Sequence, residues 1–322
     1  MLKNNWHLGD RPELGAMGSL NKLFRELDLK DPFAFPDFQS SKSILIGSDY
    51  SGQHSTSVYE AFGFILVDPK KTGRWANKRG EIRKRYLRDG RRMSFKKLGD
   101  RRRAEALPEF LFASDMLPGL LVIFLVHSKI GSLFAPDAPM KEEGSNTISL
   151  DQWPNHIGEK LLRISHFSSL LLSGLSHKNQ DVLWITDQDD VAQNIQKHTE
   201  FVKSFANISS HYLTHDLGHL RIATTASDSG SRDVEDFVSI ADLAAGAVCQ
   251  AMNNFHHMGL NLVQKVIVPY PTEMDQKIIH VMNWFSNQNS LLKKLVVGFE
   301  PSKESNKLVA RHYSFEGLVV DP

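Results

Sequence analysis

The stretch Ile44-Leu45-Ile46-Gly47-Ser48-Asp49 decides how the rest of this sequence is interpreted. A short aliphatic run flanked by serines is typical of a strand that is buried on both faces of a sheet. The run ends on a carboxylate, and in open α/β sheets ligands bind at the carboxyl ends of the strands. We therefore expect Asp49 to lie at a ligand site.

The composition is that of a globular protein. The 322 residues are 41% hydrophobic and 23% charged, which favours a substantial core over a disordered chain. Cys249 is the single cysteine, so a disulfide framework is excluded and a reducing compartment is favoured. No apolar signal segment opens the sequence, and the longest apolar runs are about half of the roughly 20 residues that a membrane helix needs. These features predict a soluble, cytoplasmic protein with no membrane partner.

The small net charge of +1 hides a strong segregation of charge. The segment 70–103, called the basic segment below, holds 16 of the 38 Lys and Arg residues but only 3 of the 37 Asp and Glu residues. Lys and Arg side chains gain free energy on phosphates through counterion release, so this segment predicts a partner that is a polyanion. The alternative is a solvated basic loop without a partner.

The order of apolar patterns predicts an α/β fold with one mixed sheet flanked by helices and interrupted by the basic segment. Residues 1–41 form a helical lead-in, 42–260 the main domain, and 261–322 a C-terminal extension packed on the same domain. A polar loop is expected at 136–144. Strands are predicted at 44–49, 58–67, 120–127, 182–185 and 220–225, and helices at 101–112, 153–175, 191–205 and 234–248.

Further acids follow the later strands. Asp187 comes directly after the strand at 182–185, Asp228 follows the strand at 220–225, and Asp242 is the only charged residue between Phe237 and Val248. A carboxylate on a helix rich in alanine and glycine is held close to the body of the protein, where an unpaired charge is costly. Asp49 has the alternative of capping the turn that follows it. Asp187 has the alternative of capping the next helix, whose start Asp189 and Asp190 crowd.

These acids suggest a magnesium or manganese site. Both ions prefer carboxylate oxygens, and two of them about 4 Å apart can activate a water molecule and stabilise the leaving oxygen of a phosphodiester. Carboxylates that lie close together repel one another, and a divalent cation removes that repulsion. Acids delivered by distant parts of one sheet are therefore consistent with metal-dependent hydrolysis of nucleic acid.

At these residues the chain resembles an uncharacterised prokaryotic family with an RNase H-like fold. The similarity lies in Asp49-Tyr50-Ser51-Gly52, in Asp187, and in Asp228-Ser229 followed by Ile240-Ala241-Asp242-Leu243. The family opens with a D-E-S-G turn and closes with D-S and then Q-x-A-D-L. In this chain Tyr50 takes the place of the glutamate and Ser239 that of the glutamine, while the motifs span roughly residues 43 to 255.

The resemblance implies a metal-dependent nuclease, often found in mobile-element or phage-defence settings, where a protein of the defence system would be a further partner. Carried over residue by residue, it assigns Asp49, Asp187 and Asp242 as ligands of Mg²⁺ or Mn²⁺, with Asp228 as a further catalytic acid. Asp189 and Glu235 are outer candidates, and the choice of middle ligand among Asp187, Asp189 and Asp228 stays open. The alternative is an RNase H-like module without catalysis that binds nucleic acid or protein, with Tyr50 marking the loss of an active site.

Contacts to nucleic acid are expected from the basic segment. The predicted contact residues are Lys97, Lys96, Arg91, Arg92 and Arg85, with Lys97 on the scissile phosphate. Three aromatic residues interrupt the charges, Trp75, Tyr86 and Phe95. Aromatic rings in such a setting either stack on bases or anchor the segment to the core, and the sequence does not separate the two.

Histidines offer a rival metal site. His211, His215 and His219 recur at a spacing of four residues, which on a helix would line one face and suit zinc. Leu217-Gly218 is expected to end any helix before His219, and no His-Glu-x-x-His motif occurs. Glycine-rich phosphate loops and a serine nucleophile elbow are also missing, which argues against a nucleotide kinase or an α/β hydrolase.

Overall fold

The computed structural model describes residues 4–6, 8, 15–134, 153–228, 230–260, 265–267, 274–301 and 308–316. The loop predicted at 136–144 lies outside them. Seven helices occur in the described residues: α1 Gly15–Lys30, α2 Gly73–Tyr86, α3 Arg101–Ser114, α4 Asn155–Leu175, α5 Ile195–Tyr212, α6 Asp233–His257 and α7 Gln276–Ser286. The strands are β1 Ser43–Ser51, β2 Tyr59–Val67, β3 Gly119–His127, β4 Asp181–Thr186, β5 Leu220–Thr224, β6 Lys265–Ile267, β7 Leu292–Pro301 and β8 Leu308–Glu316.

The strands form one mixed sheet in the order β5-β4-β1-β2-β3-β7-β8-β6. β1, β2 and β3 are an antiparallel meander. β4 pairs in parallel with β1 and β5 with β4, while β7 runs parallel to β3 on the far side of the meander. The prediction of an α/β fold with a mixed sheet flanked by helices is confirmed.

β1 lies between β2 and β4, so both of its edges are paired. Ile44 and Ile46 point into the core on the side of α4, whereas Leu45 packs on the opposite core. This burial on both faces is what the apolar run predicts. The chain switches from antiparallel to parallel neighbours at β1, and the carboxyl ends of β1 and β4 therefore meet at one edge of the sheet.

Helix α6 lies directly against β1 and β2. Two glycines make the close approach possible: a Cβ atom on Gly47 would lie 2.8 Å from the Phe237 ring, and one on Gly63 would lie 3.0 Å from the carbonyl oxygen of Ala241. The alanines of α6 face these positions, which explains why so apolar a helix carries small side chains. α6 thereby holds Asp242 over the end of β1.

The basic segment is folded. It forms α2 and the first turn of α3, joined by a stretch that contains the 3-10 turn Phe95–Lys97. Trp75 and Phe95 are buried in the core on the α6 side, and Tyr86 packs against the same core. Its aromatic residues therefore act as anchors. The segment is therefore not a solvated loop, and its three aromatic rings are packed on the core and not free to stack on bases.

Several helix bounds differ from those predicted: α5 continues to Tyr212 and α6 to His257, both beyond their predicted ends. Helix α5 begins at Ile195 and not at 191, because the side chain of Asn194 caps it by accepting a hydrogen bond from the Lys197 N–H. The extension after residue 260 also contributes a strand to the main sheet, because β7 pairs with β3 along eight residues.

None of the helices in the described residues has the length and apolar character to cross a membrane.

Candidate functional site

A cavity of about 200 Å³ opens at the carboxyl ends of β1 and β4. The basic segment forms one wall through residues 92–96, α6 forms the floor, and α4 contributes a side chain from the other face of the sheet. Five acids line the cavity: Asp49, Asp187, Asp189, Glu235 and Asp242. The structure thus brings together the three acids that the sequence predicts as metal ligands.

Asp49 and Asp242 form the centre of this group. The two carboxyl groups lie close enough for each to affect the pKa of the other. Removal from water, together with repulsion from Asp242 and Asp187, raises the pKa of Asp49 well above its ordinary value. Burial also raises the pKa of Asp242. The centre of the cavity therefore holds two buried acids whose pKa values are both raised, and a cation bound there would favour their ionised forms.

Asp242 is positioned by the basic segment. The Phe95 backbone N–H donates a hydrogen bond to Oδ2 of Asp242, at 2.8 Å. The Phe95 ring fills a notch at Gly246, where a Cβ atom would lie 2.3 Å from the ring. Gly246 is one helical turn after Asp242, so the same contact that anchors the basic segment to α6 fixes the carboxylate.

Asp187 lies beside β1, since its N–H donates to the Ser48 carbonyl oxygen at 3.3 Å. Its Oδ1 accepts a hydrogen bond from the Thr225 hydroxyl at 2.7 Å and lies 3.4 Å from Nη1 of Arg92. Because Asn194 caps α5, Asp187 is not the cap of that helix. Its carboxylate is directed into the cavity instead.

Asp228 lies apart from the other predicted acids. It does not line the cavity, and its two oxygens accept hydrogen bonds from the backbone N–H groups of Gly230, Arg232, Val234 and Glu235. Partial burial acts to raise the pKa of Asp228, but these N–H groups outweigh it and the pKa is lowered. Asp228 closes the turn that leads into α6.

The two outer candidates are paired with cations. Asp189 Oδ2 lies 2.5 Å from the Lys160 ammonium, and its Oδ1 accepts the Val191 N–H. Glu235 lies 2.5 Å from the Arg232 guanidinium. Both line the cavity, and each carboxylate is paired with a cationic side chain of the protein.

Tyr50 points to the opposite face of β1 from Asp49, as alternation along a strand requires. Its hydroxyl is hydrogen-bonded to Ser48 and Thr186, at 2.9 and 3.2 Å. Its ring packs against Phe62 and Phe64. Burial raises the pKa of Tyr50, which keeps the hydroxyl protonated. Tyr50 therefore serves the packing of the sheet at the edge of the cavity and carries no charge there.

The predicted nucleic-acid contacts divide into three groups. Arg92 and Lys96 line the cavity. Lys97 is exposed on the 3-10 turn but is not a lining residue. Arg85 pairs with Glu109, and Arg91 pairs with Asp89 and Asp100, so these two guanidinium groups already have anionic partners within the protein.

Sequence reasoning missed Lys160, Gln53 and Thr225, all of which line the cavity. The position of Lys160 could have been recognised from the sequence. It follows Ile157 by three residues and therefore falls on the apolar face of α4. A cation on a buried helical face needs a partner. Lys160 contacts Asp189 and Gln53, which belong to two separate loops. No local sequence pattern indicated that these two residues bind a lysine.

The rival histidine site does not form. His211 lies in the last turn of α5 and contacts the Asn207 carbonyl oxygen, His215 contacts the Ser176 hydroxyl, and the His219 backbone N–H donates to Asp181. Within the described ranges, no group of three or more His, Cys, Asp or Glu side chains is arranged to hold a metal ion. The same holds for the acids that line the cavity, whose carboxylates make the contacts given above and do not surround a common metal position.

Comparison with models of known protein families gave no match, and a search of curated proteins also found no match.

Proposed function

We propose that the chain is an RNase H-like nuclease that hydrolyses phosphodiester bonds of nucleic acid with Mg²⁺ or Mn²⁺. The observation that carries this proposal is the meeting of Asp49, Asp187 and Asp242 in one cavity beneath a cationic wall. These acids come from β1, from the residue after β4 and from α6, three parts of the chain that only the fold brings together.

Carboxylates are the ligands that a hard divalent cation prefers, although these three, like the other described acids, are not arranged around one metal position and would have to turn towards it. Asp49, Asp187 and Asp242 would hold it, and the ion would supply an activated water and a charge that stabilises the leaving oxygen. Because burial raises the pKa values of Asp49 and Asp242, binding of the ion would be favoured as the pH rises and both carboxyl groups ionise. The Phe95 N–H keeps Asp242 aimed into the cavity, and Thr225 orients Asp187.

The fold supports the RNase H-like interpretation. A three-stranded antiparallel meander is continued by two parallel strands in the order β3-β2-β1-β4-β5, with acids on the first strand, after β4 and on the helix that follows β5. This is the placement that the resemblance of the sequence motifs implies. Asp228, in the closing D-S motif, lies in the turn that starts α6.

The charge around the cavity supports nucleic acid as the substrate. Arg92 and Lys96 stand on the wall formed by the basic segment, and α2 and α3 extend that basic surface outward. A phosphate backbone is the polyanion that such a surface attracts, with an affinity that falls as salt rises. The substrate strand would cross the cavity so that one phosphodiester lies next to Asp49, Asp187 and Asp242.

Asp49→Asn and Asp242→Asn test the proposal. Each should lower Mg²⁺-dependent cleavage of oligonucleotides on the order of 100-fold or more, because an amide is a poor ligand in place of a carboxylate. The control is Asp275→Asn, which keeps the N-cap of α7 outside the cavity. EDTA should stop cleavage by the unsubstituted protein, and excess Mg²⁺ or Mn²⁺ should restore it. Unchanged cleavage in both cavity variants would overturn the proposal.

A second candidate is an RNase H-like module that binds nucleic acid or a partner protein without cleaving it. Tyr50 favours it, because its buried ring and hydrogen-bonded hydroxyl occupy the position of the glutamate in the motif. This candidate predicts binding of oligonucleotides that is equally strong in EDTA and in Mg²⁺, with no product under either condition. Cleavage that depends on Asp49 would exclude it.

A further inference from the structure

Lys160 is a buried cation at the cavity, opposite the wall formed by the basic segment. The residue is only 7% exposed although it carries a charge. It reaches the strand ends from α4, on the face of the sheet where Tyr50 points, and its Nζ lies 5.2 Å from the centre of the Tyr50 ring. The cavity therefore has cations on both sides of its row of acids.

Two acceptors hold the Lys160 ammonium. Asp189 Oδ2 lies 2.5 Å and Gln53 Oε1 2.9 Å from Nζ. These residues belong to the loops that follow β4 and β1, the same strand ends that carry Asp187 and Asp49. An ammonium has three N–H donors, so the two acceptors fix its position and leave a donor for a third group.

We propose that Lys160 binds a backbone phosphate of the nucleic acid strand, next to the phosphodiester at the carboxylates. This proposal rests on the proposed function. It assigns a phosphate contact to the side of the cavity formed by α4, opposite the wall formed by the basic segment. Five acids in one cavity repel a phosphate, and Arg92 and Lys96 offset that repulsion on one side only. Lys160 offsets it on the other, held in position by Asp189 and Gln53 before the strand arrives.

The alternative role for Lys160 is a structural ion pair that joins two loops. The two roles differ in what substitution changes. Loss of a phosphate contact lowers the slope of log affinity against log salt by about 0.7 for a single strand or 0.9 for a duplex. Loss of a structural pair lowers stability and leaves that slope unchanged.

Fluorescence anisotropy with labelled single-stranded DNA, single-stranded RNA and duplex DNA tests this proposal. Titrations are made in EDTA at about 50 to 200 mM salt, the range over which phosphate contacts are lost. Lys160→Met should weaken binding about tenfold or more, as expected for one charge-assisted hydrogen bond, with the reduced slope. Lys160→Arg should retain the slope of the unsubstituted protein. Lys203→Met, which removes a surface lysine paired with Glu200 on α5, is the matched control.

The outcomes distinguish this proposal from the proposed function. Equal slopes for Lys160→Met and Lys203→Met would overturn the role of Lys160 and leave the nuclease proposal standing. Absence of salt-dependent binding to all three probes by the unsubstituted protein would overturn both. Thermal unfolding establishes that each variant is folded, and Lys160→Gln replaces the methionine variant if that variant unfolds.

Discussion

At the scale of single residues, the contact between Phe95 and Gly246 connects the basic segment to the acids. The ring of Phe95 occupies the space that a side chain at residue 246 would need, and the N–H of the same residue holds Asp242. A glycine inside a helix costs stability relative to alanine, so its presence here reflects the space that the ring requires. One residue pair thus determines both where the basic segment lies and where a carboxylate points.

Gly246→Ala should therefore be destabilising although alanine is the better helix former. The new methyl group would lie 2.3 Å from the Phe95 ring, and overpacking of this kind costs about 1 to 3 kcal/mol. Urea unfolding measures the effect. Gly80→Ala in α2 is the control, because a Cβ there meets nothing within 4 Å, and it should stabilise by about 0.5 to 1 kcal/mol. Equal effects of the two substitutions would contradict the proposed packing.

At the scale of elements, α2 is bound to α6 by buried charges. Asp236 of α6 is completely inaccessible to solvent. Both of its oxygens accept from Nη1 of Arg83, at 2.7 and 2.8 Å, and Arg79 contributes a longer contact of 3.3 Å. Burial raises the pKa of Asp236 to about 6 against the opposing effect of the two guanidinium groups. Two of the cations in the basic segment are thus structural.

Arg83→Gln should destabilise the protein by about 2 kcal/mol or more near pH 8, because it leaves a buried carboxylate short of a partner. The loss should shrink near pH 5, where Asp236 takes up a proton and no longer needs the guanidinium. Arg85→Gln is the matched control on the same helix. Its side chain is 68% exposed and pairs with Glu109 at the surface, so less than about 0.5 kcal/mol is expected. Denaturant unfolding at both pH values checks the difference.

At the scale of the whole molecule, one sheet separates two cores, with the cavity at its edge. α6 and the basic segment cover one face, while α4, α5 and α1 cover the other. His166 of α4 lies in the second core, where its ring stacks on Phe134 and its Nδ1 is hydrogen-bonded to the Tyr212 hydroxyl at 2.6 Å. Burial, with a smaller contribution from His211, lowers the pKa of His166 to about 3.

This histidine makes the fold sensitive to acid. The unfolded chain binds a proton at His166 near pH 6.5, while the folded chain stays neutral there to about pH 3. The stabilising contribution is therefore complete above pH 6.5 and is lost as the pH falls, by about 2 kcal/mol at pH 5. His166→Gln should show a flatter decline of unfolding free energy between pH 7 and 5 than the unsubstituted protein. His219→Gln, at an exposed position, should decline as the unsubstituted protein does.

The apolar patterns were sufficient to predict β1 to β5, because burial on both faces of strands such as β1 and β3 requires continuous aliphatic runs, but β6, β7 and β8 were not predicted. They also predicted Asp49 and Asp187 at strand ends and the isolated charge of Asp242, since a carboxylate that closes an apolar run stands out locally. The start of α5 was predicted wrongly because Asp189 and Asp190 are good capping residues, and nothing in the sequence shows that Lys160 holds Asp189.

What the sequence by itself determined is therefore β1 to β5, the helices α1 and α3 to α6, and the acids that these elements carry. The tertiary structure decided which acids meet, because the parallel pairing of β1 with β4 and the contact of α6 with Gly47 and Gly63 place Asp49, Asp187 and Asp242 together. It also decided that Asp228 closes a turn and that Trp75 and Phe95 are anchors. These outcomes depend on contacts between residues up to about two hundred positions apart, and local propensity contains no information about them.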